Sequence, residues 1–376
     1  MITIRPVETR KERKVFVQFA NKLYKDCPYY CPTLDFDELN CFDEKENPAL
    51  EFSEYQLFLA YKDGEVAGRV AALINRRANE RWNVRKVRFG WCDFIDDFEV
   101  STALLDAVAA WGKSKGMTLM NGPVGFTDFD KEGALVEGYE YLAPMASLYN
   151  YPYYITHYEH YGMQKEADWI EFQIYPPKEV PERWARMNKI VMERSQLHVV
   201  KVRNSKELLK RYPNMEYFDV LDAAYQKLYN YQPMTYRQKA YYSKMYFGLL
   251  NFDFVTIVEN AKNEIVGIGL GMPDISEALR KANGSLFPFG WYHILKALHA
   301  KHMDAFDLLL IGVRPDYQDR GVTALIFTEQ IPTFARYGVK RLETTSILET
   351  NSKNQANFLM FDHKQHKRRR AFSKEL

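Results

Sequence analysis

The alternation of apolar and polar residues along the chain predicts short strands interleaved with helices. Residues 54–75, EYQLFLAYKDGEVAGRVAALIN, form two apolar runs joined at Asp63-Gly64, a pair favoured by two-residue hairpin turns. We expect Gly116 to cap the C-terminus of a helix with a regular apolar face. The other elements predicted in this half are strands at 2–6, 87–95, 118–121 and 168–174, and helices at 9–25, 98–115 and 149–163.

The same order of elements returns after the break at Pro176-Pro177. The pattern predicts a helix at 180–196, a strand at 198–202, an aromatic helical region, a hairpin turned at 261–264, a helical insertion at 276–302, strands at 307–313 and 341–348, helices at 322–337 and 351–361, and a basic last strand. Because this order occurs twice, we predict an α/β (α+β) protein of two domains, residues 1–175 and 176–376.

Length and composition agree with a folded chain of two or three domains. The 376 residues are 47% hydrophobic and 27% charged, and no apolar run is long enough to span a membrane. Charged residues at the N-terminus, MITIRPVETRKERK, occupy the place where a secretory signal needs apolar ones. We therefore expect a cytoplasmic protein with no membrane partner.

Charge and cysteine content exclude two further classes. A formal net charge of +2 lacks the electrostatic footprint of a general nucleic-acid binder, so any phosphate binding must be local. Cys27, Cys31 and Cys41 lie close together but have neither the paired spacing nor the nearby histidine of a zinc site. We expect free thiols and no metal.

The segment IGVRPDYQDRGVTA, residues 311–324, places a strand before a turn and the first turn of a helix. Helix N-termini expose unpaired backbone N–H groups and the positive end of the peptide dipole, which together bind phosphate groups. Gly321 permits a close backbone approach, and Arg314 and Arg320 carry positive charge. The alternative is that Gly321 serves only the tight turn between strand and helix.

This segment resembles the acetyl-CoA motif of the GCN5-related N-acetyltransferases, with Gln318, Gly321 and Thr323 at the motif's spacing. Thr323 stands where the family usually has glycine or alanine. The resemblance implies two tandem domains, each a mixed, mostly antiparallel sheet flanked by helices, and acetyl-CoA or another acyl-CoA as co-substrate. The cofactor-binding residues it implies are Ile311, Gly312, Val313, Gln318, Asp319, Arg320, Gly321, Val322, Thr323, Ala324, Asn351 and Asn354.

The resemblance also implies direct attack of an amine on the thioester, which needs a base, donors for the carbonyl oxygen and a proton source. Asp307 is the carboxylate nearest the motif and our candidate base, and His363 is a candidate for proton transfer. The family's acid, a tyrosine on the helix after the next strand, is replaced by Phe358 and Phe361. Tyr158 in the first half lies on a helix that resembles the tyrosine-bearing one.

In the first half, acidic residues replace the expected CoA loop. Asp96, Asp97 and Glu99 favour a helix N-terminus but repel a pyrophosphate there. We expect that the first domain binds no CoA of its own.

The glycine-rich loop at 122–140 is a second candidate functional element. Its carboxylates Asp128, Asp130 and Glu137 suit a cationic or amine-bearing small molecule, and long loops in compact domains are often functional. The loop is equally consistent with an ordered contact between domains.

The basic run at 364–370, KQHKRRR, has three interpretations. We expect it to continue into the last strand and face solvent. Neutralisation of cofactor phosphates is the second interpretation and nucleic-acid contact the third.

The function that the resemblance implies is transfer of an acetyl or longer acyl group to a small-molecule amine. Two alternatives remain, a Fem-type transferase that uses aminoacyl-tRNA and a non-catalytic acyl-CoA sensor or scaffold. The sequence leaves the acceptor, the acyl length and the oligomeric state open.

Overall fold

A computed structural model describes all 376 residues. The elements of the first half are β1 (Ile2–Pro6), α1 (Arg10–Leu23), α2 (Asp35–Cys41), β2 (Ser53–Lys62), β3 (Glu65–Asn75), α3 (Arg76–Trp82), β4 (Lys86–Phe94), α4 (Phe98–Ser114), β5 (Leu119–Gly122), β6 (Ala134–Glu137), α5 (Tyr153–His160) and β7 (Gln164–Tyr175). Most of them fall where the apolar pattern predicts them. The strand β6, inside the glycine-rich loop, was not predicted.

The second half repeats this order with additional helices. Its elements are α6 (Glu182–Ser195), β8 (His198–Val200), α7 (Ser205–Arg211), α8 (Glu216–Tyr225), α9 (Tyr236–Phe247), β9 (Thr256–Glu259), β10 (Ile265–Pro273), α10 (Ser276–Ala282), α11 (Gly290–Leu298), β11 (Ala305–Val313), α12 (Val322–Tyr337), β12 (Arg341–Thr344), β13 (Ile347–Leu348), α13 (Ser352–Phe358) and β14 (Asp362–Glu375). The strand predicted at 341–348 is divided into β12 and β13. Both pair with β7, but the pairing with β11 ends at Thr344 and the register on β7 shifts by one residue between them.

Local chemistry explains why these elements begin and end where they do. Asp63 and Gly64 have φ angles of 52° and 92°, the left-handed pair that joins two strands with the correct twist. Thr9 and Glu12 form a capping box at the start of α1, with each side chain bonded to the other residue's backbone. Gly338, at φ 71°, ends α12 in the left-handed conformation that glycine adopts without strain.

The strands form one continuous sheet in which the two halves exchange a strand. The order along its main path is β1-β2-β3-β4-β5-β14-β7-β12-β11-β10-β9-β8. β7 belongs to the first half in sequence but pairs with β12, and β14 belongs to the second half but pairs with β5. β7 and β14 pair with each other from Asp362↔Tyr175 to Ser373↔Gln164. Most pairs are antiparallel, and β4–β5 and β11–β12 are parallel.

This architecture confirms the predicted fold class, a mixed and mostly antiparallel sheet flanked by helices. α4 packs on β3 and its neighbours in the first half, and α12 packs on β9 and β10 in the second. None of the helices combines the length and the apolar composition that crossing a bilayer requires. The division into residues 1–175 and 176–376 stays a prediction.

The basic run continues into β14 as expected, but most of it does not face solvent, and among its basic residues only Lys364 is exposed. His366, Lys367 and Arg369 are buried, because β14 lies in the middle of the sheet rather than at its edge. The Arg369 guanidinium binds the fully buried Glu171 carboxylate of β7. Burial alone would raise the pKa of Glu171, but the charges of Arg369 and Lys367 bring this pKa down to about 2.

We expect Arg369→Met to lower the free energy of unfolding by about 3–5 kcal/mol at neutral pH, because it leaves the Glu171 carboxylate buried without its main partner. The lowered pKa of Glu171 means that its contribution to stability is present above the unfolded pKa of about 4 and is lost as the pH falls towards 2. Urea denaturation at several pH values measures both effects.

Arg336→Met is the matched control, because the Arg336 pair with Asp253, at 2.8 Å, is exposed. Removing this pair should cost about 1 kcal/mol or less. Equal losses in the two variants would contradict the role given to the Glu171 pair.

Candidate functional site

The strands β11 and β12 separate after a short parallel pairing. They pair from Ala305↔Arg341 to Leu308↔Thr344, and β11 then continues to Val313 without a strand on that side. The chain beyond β12 stays paired with β7 through β13 and no longer pairs with β11. The result is an opening in the sheet, bordered by the free edge of β11.

Backbone groups of this free edge point into the opening. The Ile311 carbonyl accepts a hydrogen bond from the Tyr225 hydroxyl at 2.8 Å, and the Val313 carbonyl accepts one from the Gln318 side chain at 3.1 Å. Alternate residues of a strand turn their backbone groups to the same side, which places the N–H groups of these two residues at the opening as well. Gly312 packs on Leu221, and a Cβ there would lie 2.7 Å from a Leu221 methyl group.

The N-terminus of α12 lies next to this edge and has no side-chain cap. Gly321 precedes the helix at φ 82°, and the first-turn N–H groups of Val322, Thr323 and Ala324 donate to no capping side chain. Uncapped amides and the helix dipole favour an anion at this position.

The charged residues of the turn differ in how far they are neutralised. Arg314 is paired with Asp316 at 2.7 Å and also contacts Glu264. Asp319 binds Lys353 of α13 at 2.7 Å. Arg320 is exposed and stacks on Tyr317, with no carboxylate in salt-bridge contact. Arg320 is therefore the cation of this turn that stays available to a bound anion.

The corresponding helix of the first half is closed by its own side chain. Asp97 caps α4, accepting hydrogen bonds from the backbone N–H groups of Glu99 at 2.9 Å and Val100 at 3.2 Å. Lys62 binds the other carboxylate oxygen of Asp97. These contacts satisfy the helix end internally and place a negative charge where an anion would have to lie.

A cavity of about 770 Å³ connects the opening with the first half of the chain. Its size lies in the upper part of the range of about 300–1,000 Å³ for ligand pockets. Its lining is mostly hydrophobic. Five of its lining side chains, all from the second half, belong to one buried cluster, and we call these five the phenylalanine arm: Phe254, Phe306, Phe327, Phe334 and Phe358.

Carboxylates of the glycine-rich loop line another part of the cavity. Burial raises the pKa of Asp128 to about 7, that of Asp130 to about 6, and that of Glu132 well above its ordinary value. The Arg88 side chain holds the loop by donating to the carbonyls of Gly125 and Phe126, each at 3.1 Å. The cavity thus contains carboxyl groups that change charge near neutral pH.

Tyrosines of the second half connect these carboxylates with the opening. The Tyr225 ring, whose hydroxyl binds the Ile311 carbonyl, meets the Tyr231 ring edge-on at 5.8 Å. Tyr231 lies within electrostatic reach of Asp128, and the Tyr242 hydroxyl is 3.2 Å from Thr127 Oγ1. Burial raises the pKa of Tyr225 to about 12, which keeps its hydroxyl protonated.

Known protein structures have a similar architecture. The chain resembles a tandem GNAT protein from the clavulanic acid biosynthesis pathway, with a TM-score of 0.55 and 10% identity over 100% of this chain and 98% of the other. It also resembles a GCN5-related N-acetyltransferase from Sphaerobacter thermophilus, with a TM-score of 0.51 and 12% identity over 100% and 95%. The chain has the tandem GCN5-related N-acetyltransferase fold.

Sequence comparison finds relatives along most of the chain, although no family model matches it. Protein YghO of Escherichia coli (strain K12) is 29% identical over 355 residues, which cover 93% of this chain and 89% of that protein. The bacterial ceramide synthase of Caulobacter vibrioides is 26% identical over 325 residues, which cover 84% and 82%.

Within this tandem acetyltransferase fold, the predicted cofactor residues lie together. Residues 311–313 and 318–324 form the free strand edge and the uncapped helix end. Asn351 and Asn354 line the cavity nearby, and the Asn351 side chain caps α13 by accepting a bond from Asn354 N–H at 3.2 Å. Their role in binding stays a prediction.

The predicted catalytic residues are not brought together. Asp307 is buried beside Glu343 and does not line the cavity, and burial, together with Asp274 and Glu343, raises its pKa well above the ordinary value. Tyr158 packs in the core of the first half and is among the residues that line the cavity, whereas His363 lies at the start of β14, outside the cavity.

Two of the three predicted substrate residues line the cavity, and the third lies outside it. Asp128 and Asp130 line the cavity, whereas Glu137 is exposed and pairs with Arg368 at 3.3 Å outside it. Sequence reasoning missed Tyr225 and Tyr231. The sequence contains nine tyrosines between residues 212 and 246, and this number could have indicated a polar role. The apolar pattern instead favours an interpretation as residues that pack between helices.

Proposed function

We propose that the chain is an acyl-CoA-dependent N-acyltransferase that moves a long-chain acyl group to the amine of a lipid-like amino alcohol. One observation carries the proposal. The cavity beside the free edge of β11 is lined both by the phenylalanine arm and by Asp128. One cavity therefore joins an apolar space for a chain with a base for an amine.

The donor half of the proposal rests on the contrast between α12 and α4. The α12 end, with free amides and Arg320, fits a pyrophosphate, and the Asp97-capped end of α4 does not. The N–H groups of Ile311 and Val313 would hold an extended pantetheine arm as an added strand. The cofactor would therefore be bound by residues of 176–376, and residues 1–175 would contribute the acceptor side.

The acyl chain and the acceptor are proposed from the lining and from a relative. Phenylalanine side chains fit a fatty chain better than an acetyl group, because burial of each methylene is favourable. The relative from Caulobacter vibrioides is named a bacterial ceramide synthase. A ceramide is a long-chain amino alcohol that carries a fatty acyl group on its nitrogen, and a similar acceptor would suit this cavity.

Asp128 and Tyr225 are the proposed catalytic residues. Asp128 removes a proton from the ammonium group, and a base with a pKa of about 7 is well matched to this step. The amine nitrogen then attacks the thioester carbon. As the C–S bond breaks, the leaving sulfur takes the second amine proton by way of the Tyr225 hydroxyl. Asp307, which the cavity does not reach, is a weaker candidate for the base.

Burial of most of the basic run argues against the aminoacyl-tRNA alternative. That hypothesis needs the basic run of β14 as an RNA contact, but Lys367 and Arg369 are buried. Arg368 and Arg370 are both paired with Asp168.

The proposal is tested by supplying palmitoyl-CoA or acetyl-CoA together with sphinganine or glucosamine. We expect CoA release and an N-acyl product with palmitoyl-CoA and sphinganine, at a kcat/KM at least about tenfold above that with acetyl-CoA. Thiol detection and mass spectrometry measure the two products. Binding of either donor by calorimetry without turnover would favour the sensor instead, and no binding of either donor would remove the proposal.

A further inference from the structure

Large apolar side chains are exposed together at one place on the surface. We call this set the aromatic ridge, and its members, with their exposed fractions, are Phe287 (77%), Phe289 (69%), Trp291 (45%), Tyr292 (50%) and Leu295 (48%). They fall within nine consecutive residues, in α11 and the turn before it. Contiguous exposed apolar surface of this kind marks an interaction site.

The ridge is the outer face of an amphipathic helix. Gly290, Ile294 and Leu298 form the inner face of α11 and are buried. One face of α11 therefore packs on the hydrophobic core, and its aromatic face is exposed. The Trp291 indole N–H donates to the Pro288 carbonyl at 3.1 Å, so the exposed ring presents its apolar surface with its polar group already satisfied.

The chain segment that carries the ridge is positively charged. Residues 278–303 contain no Asp or Glu, whereas the chain as a whole has a net charge of only +2. The cations of this segment are Arg280, Lys281, Lys296 and Lys301. Arg280 is paired with Glu277 at 3.1 Å, and the three lysines are exposed. Aromatic side chains bordered by lysines match the interface of a bilayer that contains anionic lipids.

The ridge is attached to a segment that lines the cavity. The Asp35 backbone N–H donates to the Gly284 carbonyl at 2.9 Å, which joins the turn before the ridge to the start of α2. Thr33 and Phe36 of that segment line the cavity, and Phe36 is 44% exposed. A surface that holds the ridge would thus lie close to a part of the cavity wall that reaches the exterior.

We propose that the aromatic ridge docks on the surface of an anionic lipid bilayer. The contact is peripheral, and it revises the sequence-based expectation of no membrane partner. The charge and the exposed rings carry this inference independently of the proposed function. If the proposed function also holds, the contact brings lipid substrates to the Phe36 side of the cavity.

Co-sedimentation with vesicles of phosphatidylcholine, with and without phosphatidylglycerol, tests the proposal. We expect the full chain to bind the anionic vesicles at least about tenfold more tightly, and added salt to weaken this binding. The triple variant Phe287→Ser, Phe289→Ser, Trp291→Ser should lose the binding. Lys281→Gln and Lys296→Gln should each weaken it about fivefold.

A matched control replaces exposed apolar residues elsewhere, Met187→Ser, Ile190→Ser and Tyr236→Ser. Circular dichroism and thermal melts establish that each variant folds, and the control should bind vesicles like the parent. Equal binding by the ridge variant and the parent would overturn the proposal. The proposal would also be overturned if the parent does not bind vesicles and is a dimer, whereas the ridge variant is a monomer. The ridge would then be a contact between two copies of the chain. Vesicle binding does not require turnover, so its failure is distinct from failure of the acyltransferase assay.

Discussion

Gly321→Asp is expected to weaken binding of acyl-CoA at least about hundredfold, because it replaces anion-binding amides with a capped helix end. The new carboxylate can bond to the first-turn N–H groups, as Asp97 does at α4, and it places a negative charge at the proposed pyrophosphate position. Loss of two charge-assisted hydrogen bonds, each worth about 1.5–3 kcal/mol, accounts for this magnitude. Calorimetric titration with desulfo-CoA measures it without turnover.

Gly338→Asp is the control at the other end of the same helix. Both glycines have a positive φ, 82° and 71°, so both variants introduce comparable backbone strain. A Cβ at Gly321 would lie 2.9 Å from a Val191 methyl group, whereas the nearest atom at Gly338 is 3.6 Å away, and thermal melts should record that difference. Similar affinity losses in the two folded variants would remove α12 as the pyrophosphate site.

Asp128→Asn is expected to lower kcat/KM by a factor of about 100 to 10,000, the range for loss of a general base. Burial raises the pKa of Asp128 to about 7, so the parent should gain activity as the pH rises through 7, and the variant should show no such rise. The raised pKa also means that Asp128 stabilises the folded state below its unfolded pKa of about 4, and this stability is lost as the pH rises through 7. Above pH 7 the variant should therefore melt at a higher temperature than the parent.

An Asp128→Asn variant that loses activity but gains thermal stability has lost a catalytic group, because damage to the fold would lower both properties. Glu137→Gln, in the same loop but outside the cavity, should leave both properties close to those of the parent. Tyr225→Phe should lower kcat at every pH without moving the acidic limb of the profile. An Asp128→Asn variant that keeps the parent's pH profile would contradict the role of this carboxyl group as the base.

Features set by neighbouring residues could be predicted from the sequence. The Asp63-Gly64 hairpin and the capped helices depend on the conformations of a few consecutive residues, and the amide-rich turn at Gly321 has the same origin. These features predicted the fold class and located the strand, turn and helix that carry the cofactor candidates, because the apolar period and the turn chemistry are local. The binding role of these candidates stays a prediction.

Features set by distant pairing could not be predicted in this way. Charge favoured an exposed position for Lys367 and Arg369, and only the pairing of β14 with β7 and β5 explains their burial. Likewise, the pKa of Asp128 depends on enclosure by residues from both halves. The polar role of Tyr225 depends on the approach of α8 to β11, which the apolar period of α8 does not encode.

The exchange of β7 and β14 also determines when the molecule can fold during its synthesis. β5 gains its second neighbour only when β14 arrives, and β14 is the last strand of the sequence. Until then the edge of the first half stays bare, and bare edges pair readily with other chains. Contacts between such distant residues also slow folding, because a long loop must close before they form. The nascent first half therefore stays only partly assembled until residues 362–375, which form β14, have been synthesised.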